Sequence, residues 1–226
     1  MGHVHRLIAF DLDGTLIDSR RDLADSANAL IAELGGTPLS EEAIGTMVGE
    51  GAALLVRRAV QGAGLHIPDL AGALRRFLEL YDERLLNHTR LYDGIADVVR
   101  RARRHARVTL LTNKPLRPTE WILDGLGVRE LFDDVVGGDG PLPRKPDPSA
   151  LFAMMRSAES SAEHTLLVGD SAIDLETARR AGAHCCLVSF GFGYRNMREQ
   201  PSPDVWIADS AAALGAVIDR FALTTI

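Results

Sequence analysis

Three features of this 226-residue chain predict an α/β fold, a parallel sheet with a helical domain inserted after its first strand. Six short apolar runs recur along the chain, with helix-period segments between most of them. Those runs are apolar at nearly every position, as strands covered on both faces must be. One stretch, from Asp18 to about Arg90, carries no strand pattern and is too long for a loop.

The strands follow in order as Leu7–Asp11, Val108–Thr112, Asp134–Gly138, Thr165–Gly169, Cys185–Ser189 and Val205–Ala208. Ile95, Val98, Val99 and Ala102 make one helical stripe; Leu151, Phe152 and Met155 make another. Asp147 reads as the cap of that second helix, with Pro148 at its first position. In the strandless stretch, Leu23, Ala27, Leu30, Ile31 and Leu34 share a helix face that Gly35 ends. Ser40, followed by Glu41 and Glu42, marks another helix start. Leu70, Leu74, Phe77, Leu78, Tyr81 and Leu85 form a further stripe. We assign residues 1–17 and 91–226 to the sheet domain. Residues 18–90 form the insertion, placed above the strand ends as a lid.

Hydrophobic residues make up 46% of the chain and charged residues 25%, an ordinary globular balance. The net charge of −6 argues against non-specific nucleic-acid binding and against a basic membrane-surface role. Arg100, Arg101, Arg103 and Arg104 read as a solvated helix face. No apolar run approaches the ~18 residues of a membrane span. The opening MGHVHRLIAF lacks a signal peptide's apolar core, so a cytoplasmic location is expected. Cys185 and Cys186 are strand neighbours pointing to opposite faces, which argues against a mutual disulfide.

The chemistry collects at the strand ends, where ligands bind in open parallel sheets. The first strand ends in Asp11 and Asp13, before Gly14. Two unit charges ~4 Å apart at an effective dielectric near 20 repel by roughly 4 kcal/mol. Something must hold both ionised, or one keeps its proton. The second strand delivers Thr112, Asn113 and Lys114; RKPDP brings Arg144 and Lys145; GDSAID brings Asp170 and Asp174. Clustered carboxylates without His or Cys select a hard divalent cation, Mg²⁺ first. Mg²⁺ lets Asp11 and Asp170 both stay charged. Thr112, Asn113 and Lys145 offer an anion a hydroxyl, an amide and a cation. These are parts for phosphoryl transfer. Hydrolysis of phosphate monoesters calls for accelerations up to ~10²¹, roughly 28 kcal/mol, beyond what one carboxylate supplies. A covalent aspartyl-phosphate divides that barrier. Asp11, fixed at the strand end, suits the nucleophile; Asp13 suits acid/base work.

In order and across the whole chain, DLDGTL, LLTNK, RKPDP and VGDSAID resemble the four motifs of haloacid dehalogenase-like hydrolases. The resemblance implies a Rossmann-like core with the first strand central and a helical cap. It implies Asp11 as nucleophile, Asp13 as acid/base, and Thr112 and Lys145 as holders of the phosphoryl group. Its metal ligands are Asp11, the backbone carbonyl of Asp13, and Asp170, with Asp174 acting from behind them or through water. The carboxylate at position 13 is similar to the phosphatase branch. MVGEGAALLVRRAV, LLTNKP and SFGFGYRNMREQPSPDVWI resemble the phosphoglycolate phosphatase type.

Glu50, Gly51 and Arg58 are the insertion residues expected nearest the substrate. Arg58 reads equally as a partner for a substrate carboxylate or as a surface residue. The expected activity is Mg²⁺-dependent hydrolysis of a small phosphorylated metabolite, with 2-phosphoglycolate leading. The alternatives are a sugar or amino-sugar phosphate as substrate, a phosphomutase, and a non-catalytic phosphate-binding switch. A switch gains nothing from the base at Asp13. Gly191 and Gly193 read as turn glycines, Trp121 and Trp206 as packing residues, Asp18 as a hinge or cap residue. Oligomeric state is open between monomer and homodimer.

Overall fold

Every residue of β1 (Leu7–Phe10) is buried, because helices cover the strand on both faces. Its side chains alternate: Ile8 and Phe10 enter one apolar cluster, Leu7 and Ala9 the other. Burying a large apolar side chain contributes roughly 1.5–3 kcal/mol, which fixes β1 at the centre of the sheet. The computed structural model describes residues 5–197, 201–203 and 205–223.

β2 (Ile17–Asp18) and β3 (Arg90–Leu91) form a two-residue antiparallel ladder apart from the main sheet. The main strands are β4 (Arg107–Leu111), β5 (Asp134–Val136), β6 (Thr165–Gly169), β7 (His184–Val188) and β8 (Trp206–Ala208), with β1. Their order is β5-β4-β1-β6-β7-β8, and every pairing is parallel. The chain runs outward through β4 and β5, then returns to the other side of β1 as β6. That reversal opens a crevice at the carboxyl ends of β1 and β6. Phe10 pairs with both Leu110 and Val168, so β1, β4 and β6 release the chain at one level.

α1 (Arg20–Glu33), α2 (Glu41–Gly45), α3 (Ala52–Gly62) and α4 (Leu70–Asp82) lie between β2 and β3. Their buried faces join the same apolar cluster as Ile8 and Phe10. Ser40 Oγ accepts from Ala43 N at 3.1 Å and Asp69 Oδ1 from Gly72 N at 2.8 Å, capping α2 and α4. Gly35, at φ +78°, ends α1. α5 (Ile95–Ala102) and α6 (Leu116–Gly125) cover the same sheet face, joined by α9 (Ala211–Leu223). α7 (Ser149–Ser157) and α8 (Ala172–Ala181) cover the other. No helix among the described residues is long and apolar enough to cross a membrane.

Several local expectations shift. The stretch read as strandless contains Asp18, Arg90 and the ladder between them, too short to leave an alternating pattern. Phe152 is 38% exposed, because Leu151 and Phe152 are 100° apart on a helix and only one can face inward; Met154 takes the inner position. The helix there begins one residue later than read, with Pro148 just outside it and Asp147 Oδ1 accepting from Ser149 N. Trp121 is exposed and lies under the Arg117 guanidinium; Trp206 packs on His184 and Phe221 as expected. Arg100, Arg101 and Arg103 each pair with an aspartate on the solvated face. Cys185 and Cys186 are free thiols, both pushed above their ordinary range by burial.

One carboxylate missed in the sequence joins the two linkers. Asp22, on α1 and fully buried, accepts from the backbone N–H of His88 and Thr89 and from Thr89 Oγ1, all within 3.0 Å. Asp22→Ala leaves these donors without a partner. It is expected to lower unfolding stability by about 3 kcal/mol or more, read from urea denaturation midpoints.

Candidate active site

Asp11 N donates to Val168 O at 2.9 Å, the last backbone bond before the chain leaves the sheet. The Asp11 carboxylate is therefore held on a rigid strand end. Its Oδ1 sits 2.8 Å from Lys145 Nζ, and that ammonium lies 2.6 Å from Asp174 Oδ1. Lys145 reaches this point from the loop before α7 and is almost wholly buried. Asp174 stands in the first turn of α8, where Ser171 N and Oγ donate to its Oδ2 at 3.2 and 2.6 Å. This capping box and the lysine occupy both Asp174 oxygens. Asp174 thus acts from behind, pinning Lys145.

Asp170 follows β6, and its carboxylate joins those of Asp11 and Asp174 with ligand atoms within 4.8 Å of one another. Three buried carboxylates face one ammonium. Burial raises Asp11 to about 6, with Lys145 opposing and Asp174 adding to the rise. Burial, Asp174 and Asp11 raise Asp170 well above the usual carboxylate range. Burial opposes the Lys145 charge, but Asp11 and Asp174 raise its proton affinity overall. Excess buried negative charge on oxygen-only donors fits a hard divalent cation at Asp11 and Asp170.

The glycines complete this cradle. Gly14 has φ +83°, and a Cβ there would lie 1.9 Å from Asp170 Oδ2. A Cβ on Gly191 would lie 2.4 Å from Asp170 Cβ, and one on Gly193 2.8 Å from its Oδ2. Gly193 N donates to that oxygen at 2.7 Å. Gly191 and Gly193 are therefore close-approach glycines around a carboxylate, beyond the turn role read from sequence. Residues 198–200 and Asp204 of the same sequence stretch lie outside the described residues.

On the other side of Asp11 lies a cavity with about 40 Å³ open to the centres of water molecules. Asp11, Asp13, Thr112, Asn113, Lys114 and Gly51 line it together with Tyr81 and apolar side chains of α1, α3 and α4. Lys114 Nζ lies 3.0 and 2.8 Å from the two Asp13 oxygens, and Ser19 Oγ donates to Oδ1 at 2.5 Å. Thr112 Oγ1 accepts from Lys114 N at 3.2 Å, which leaves its proton for an anion. Asn113 departs from its expected role. Its Nδ2 donates to Gly49 O at 2.9 Å and Lys145 O at 3.0 Å, so the side-chain amide is spent joining the helical insertion to the site loop. Two carbonyl partners fix its orientation, since a flipped amide would set oxygen against oxygen.

Glu50 and Arg58 pair with each other at 2.5 Å and do not line the cavity; Gly51 does. Asp18 accepts from Arg20 and carries no contact with the site. Lys114 and Tyr81 line the cavity without a role in the sequence reading. Lys114 stood in TNKP beside two residues that were assigned, and Tyr81 was concealed in an apolar helical stripe.

The model of haloacid dehalogenase-like hydrolases matches residues 5–182. The chain belongs to that family. Among similar sequences, a Pseudomonas putida protein named phosphoglycolate phosphatase is 37% identical, over 96% of this chain and 82% of its own length. A Rhodospirillum rubrum protein of the same name is 41% identical, over 83% of this chain and 80% of its own. A Haemophilus somnus structure described as a predicted phosphoglycolate phosphatase superposes with TM-score 0.88 at 30% identity, covering 94% of this chain and 97% of that one. CbbY from Rhodobacter sphaeroides, in complex with phosphate, superposes with TM-score 0.78 at 25% identity, over 96% and 100%. Family membership agrees with what the site holds, a strand-end carboxylate placed against a buried cation.

The Asp170 cradle can be tested at its tightest point. Gly14→Ala adds a methyl where a carboxylate already lies and forces an alanine to positive φ, which alone costs about 1–2 kcal/mol. The variant is expected to melt lower and to lose roughly 100-fold or more in turnover, because a 1 Å displacement of a catalytic group suffices for that.

Proposed function

We propose that this protein is a cytoplasmic Mg²⁺-dependent phosphatase that hydrolyses 2-phosphoglycolate to glycolate and phosphate. The observation that carries the reading is the placement of Asp11 and Asp13. Each is paired with its own buried lysine and both face one small cavity. The names of the similar proteins support the substrate. We assign residues 18–90 the role of a cap that walls the cavity and excludes water.

Asp11 attacks phosphorus, and the bond from phosphorus to the ester oxygen breaks. Asp13 gives its proton to the departing alkoxide. Water then attacks the aspartyl-phosphate, Asp13 takes the proton of that water, and phosphate and Asp11 are released. Lys145 and the Thr112 hydroxyl hold the phosphoryl oxygens while charge shifts among them. Asp11, Asp170 and the Asp13 carbonyl would hold Mg²⁺, with Asp174 steadying Lys145 behind them. Bound there, Mg²⁺ supplies the positive charge that the three carboxylates lack.

Asp11→Asn is expected to lose at least ~10³-fold in kcat on any phosphate monoester, measured as phosphate release. Asp13→Asn is expected to lose roughly 10²–10⁴-fold on ethyl phosphate and much less on p-nitrophenyl phosphate, whose phenolate leaves without a proton. Equal losses on both esters would remove Asp13 from the acid role.

Metal binding has its own readout in thermal melting. Folded Asp11 holds its proton up to about pH 6, above its ordinary value of 3.8. In the folded chain that proton competes with the metal below pH 6, and Asp11 is open to the metal above it. At near-neutral pH, Mg²⁺ at a hundredfold excess over Kd is expected to stabilise the protein by about 2.7 kcal/mol. The increment should shrink as pH falls through about 6. A pH-independent increment would mean that the ion binds elsewhere.

A further inference from the structure

Both oxygens of Asp13 are committed. Lys114 Nζ bonds to each, and Ser19 Oγ adds a third donor at Oδ1. A carboxyl group bound in this way reaches a leaving oxygen only by giving up a bond to Lys114. The Lys114 side chain is 4% exposed and lies over the Tyr81 ring, 4.7 Å from its centroid. Burial opposes its charge, while Asp13 and Tyr81 raise its proton affinity overall, so the ammonium stays charged. Among the described residues lining the cavity, Lys114 is the only cation. Beyond Asp11, Asp13, Thr112 and Asn113 at the inner end of the cavity, its side-chain walls, including Leu23, Val48, Leu55, Phe77 and Leu78, are apolar. The Tyr81 hydroxyl is buried without a hydrogen-bond partner, and burial pushes it up to about 12, so it stays protonated and its O–H is available as a donor.

We propose that Lys114 is the docking cation for a second anionic group on the leaving portion of the substrate, with the Tyr81 hydroxyl as its second donor. The anion draws Lys114 away from Asp13 and leaves the Asp13 carboxyl to the ester oxygen. This assignment rests on the phosphatase reading above. An anion entering an apolar cavity without a partner carries a large desolvation penalty, so it must meet the one cation there. With phosphorus at Asp11 and the ester oxygen at Asp13, a carboxylate one carbon beyond that oxygen arrives beside the cation of Asp13. Lys114 exchanges one carboxylate for another, so the count of paired charges is unchanged. A substrate without the second anion leaves Lys114 on Asp13 and reacts slowly. Specificity then comes from the same contact that frees the acid. Arg58, the other candidate partner for such an anion, is engaged by Glu50 away from the cavity.

The test compares 2-phosphoglycolate with ethyl phosphate, which has the same two carbons and no carboxylate. Wild-type enzyme is expected to prefer 2-phosphoglycolate by at least ~100-fold in kcat/KM. In Lys114→Met the preference is expected to fall below ~10-fold, and Lys114→Arg, which keeps the charge, to recover part of it. Tyr81→Phe is expected to lower the preference by roughly 10-fold or more, the worth of one hydrogen bond to an anion. Equal losses on both substrates in Lys114→Met would overturn the proposal, because Lys114 would then only support Asp13. Should that variant not fold, the wild-type preference and Tyr81→Phe decide. Brisk turnover of both esters at similar kcat/KM by the wild type overturns the proposal and leaves the phosphatase reading intact. Failure to release phosphate from either ester overturns that reading itself.

Discussion

The site is organised around one constraint: three buried carboxylates, Asp11, Asp170 and Asp174, crowd together while a single ammonium, Lys145, pairs with Asp11 and Asp174. Taken alone, like charges this close and this deep are strongly unfavourable. The Ser171 capping box fixes Asp174, Asp174 fixes Lys145, and Lys145 fixes Asp11. Gly14, Gly191 and Gly193 let the backbone close around Asp170, where any side chain would collide. Removing Lys145 would leave Asp11 and Asp174 facing each other uncompensated, a loss of about 3–5 kcal/mol for a broken buried pair. The residual negative charge is the reason a divalent cation fits.

The two lysines divide the work. Lys145 is bonded to two carboxylates, one of them locked by a helix cap, so it has no freedom to leave. Lys114 is bonded to Asp13 alone among carboxylates and rests on an aromatic face, a contact worth about 0.5–2 kcal/mol. Its partner can be exchanged. A nucleophile requires a fixed attack geometry, whereas an acid that becomes a base must change its contacts during the reaction. The difference in anchoring matches the tasks proposed for Asp11 and Asp13.

Much of this was legible in the sequence because it is local. β1, β4 and β6 announce themselves as apolar runs, and the residues that follow them are the site. Parallel register does the rest, carrying Asp11, Thr112 and Asp170 to one edge from segments far apart in the chain. What stayed hidden depends on partners that no spacing encodes. Asn113 has the composition of an anion donor, but its amide is consumed by Gly49 O and Lys145 O. Tyr81 fits an apolar stripe, and only its unpartnered hydroxyl beside Lys114 separates it from Phe77, on which it stacks. Asp22 looks like any acidic residue in a first helical turn until its three donors arrive from His88 and Thr89. Arg58 had the right charge and the wrong surroundings, because Glu50 claims it.

Asn113 also explains why the helical insertion and the chemistry are not independent. One side-chain amide holds Gly49, in the insertion, and Lys145, beside Asp11. Gly51, at φ +92°, brings the next turn of the insertion so near that a Cβ there would lie 2.8 Å from Arg144 Nη1, one residue before Lys145. Any movement that lifts the insertion breaks the bond to Gly49 and disturbs the loop that carries Lys145. The insertion also supplies Tyr81 and the apolar walls against which Lys114 rests. In the proposed reaction, positioning of the phosphoryl group and choice of the leaving group are thereby tied to the same set of contacts. A substrate that fills the cavity completes both together, and one that fits poorly leaves both unfinished.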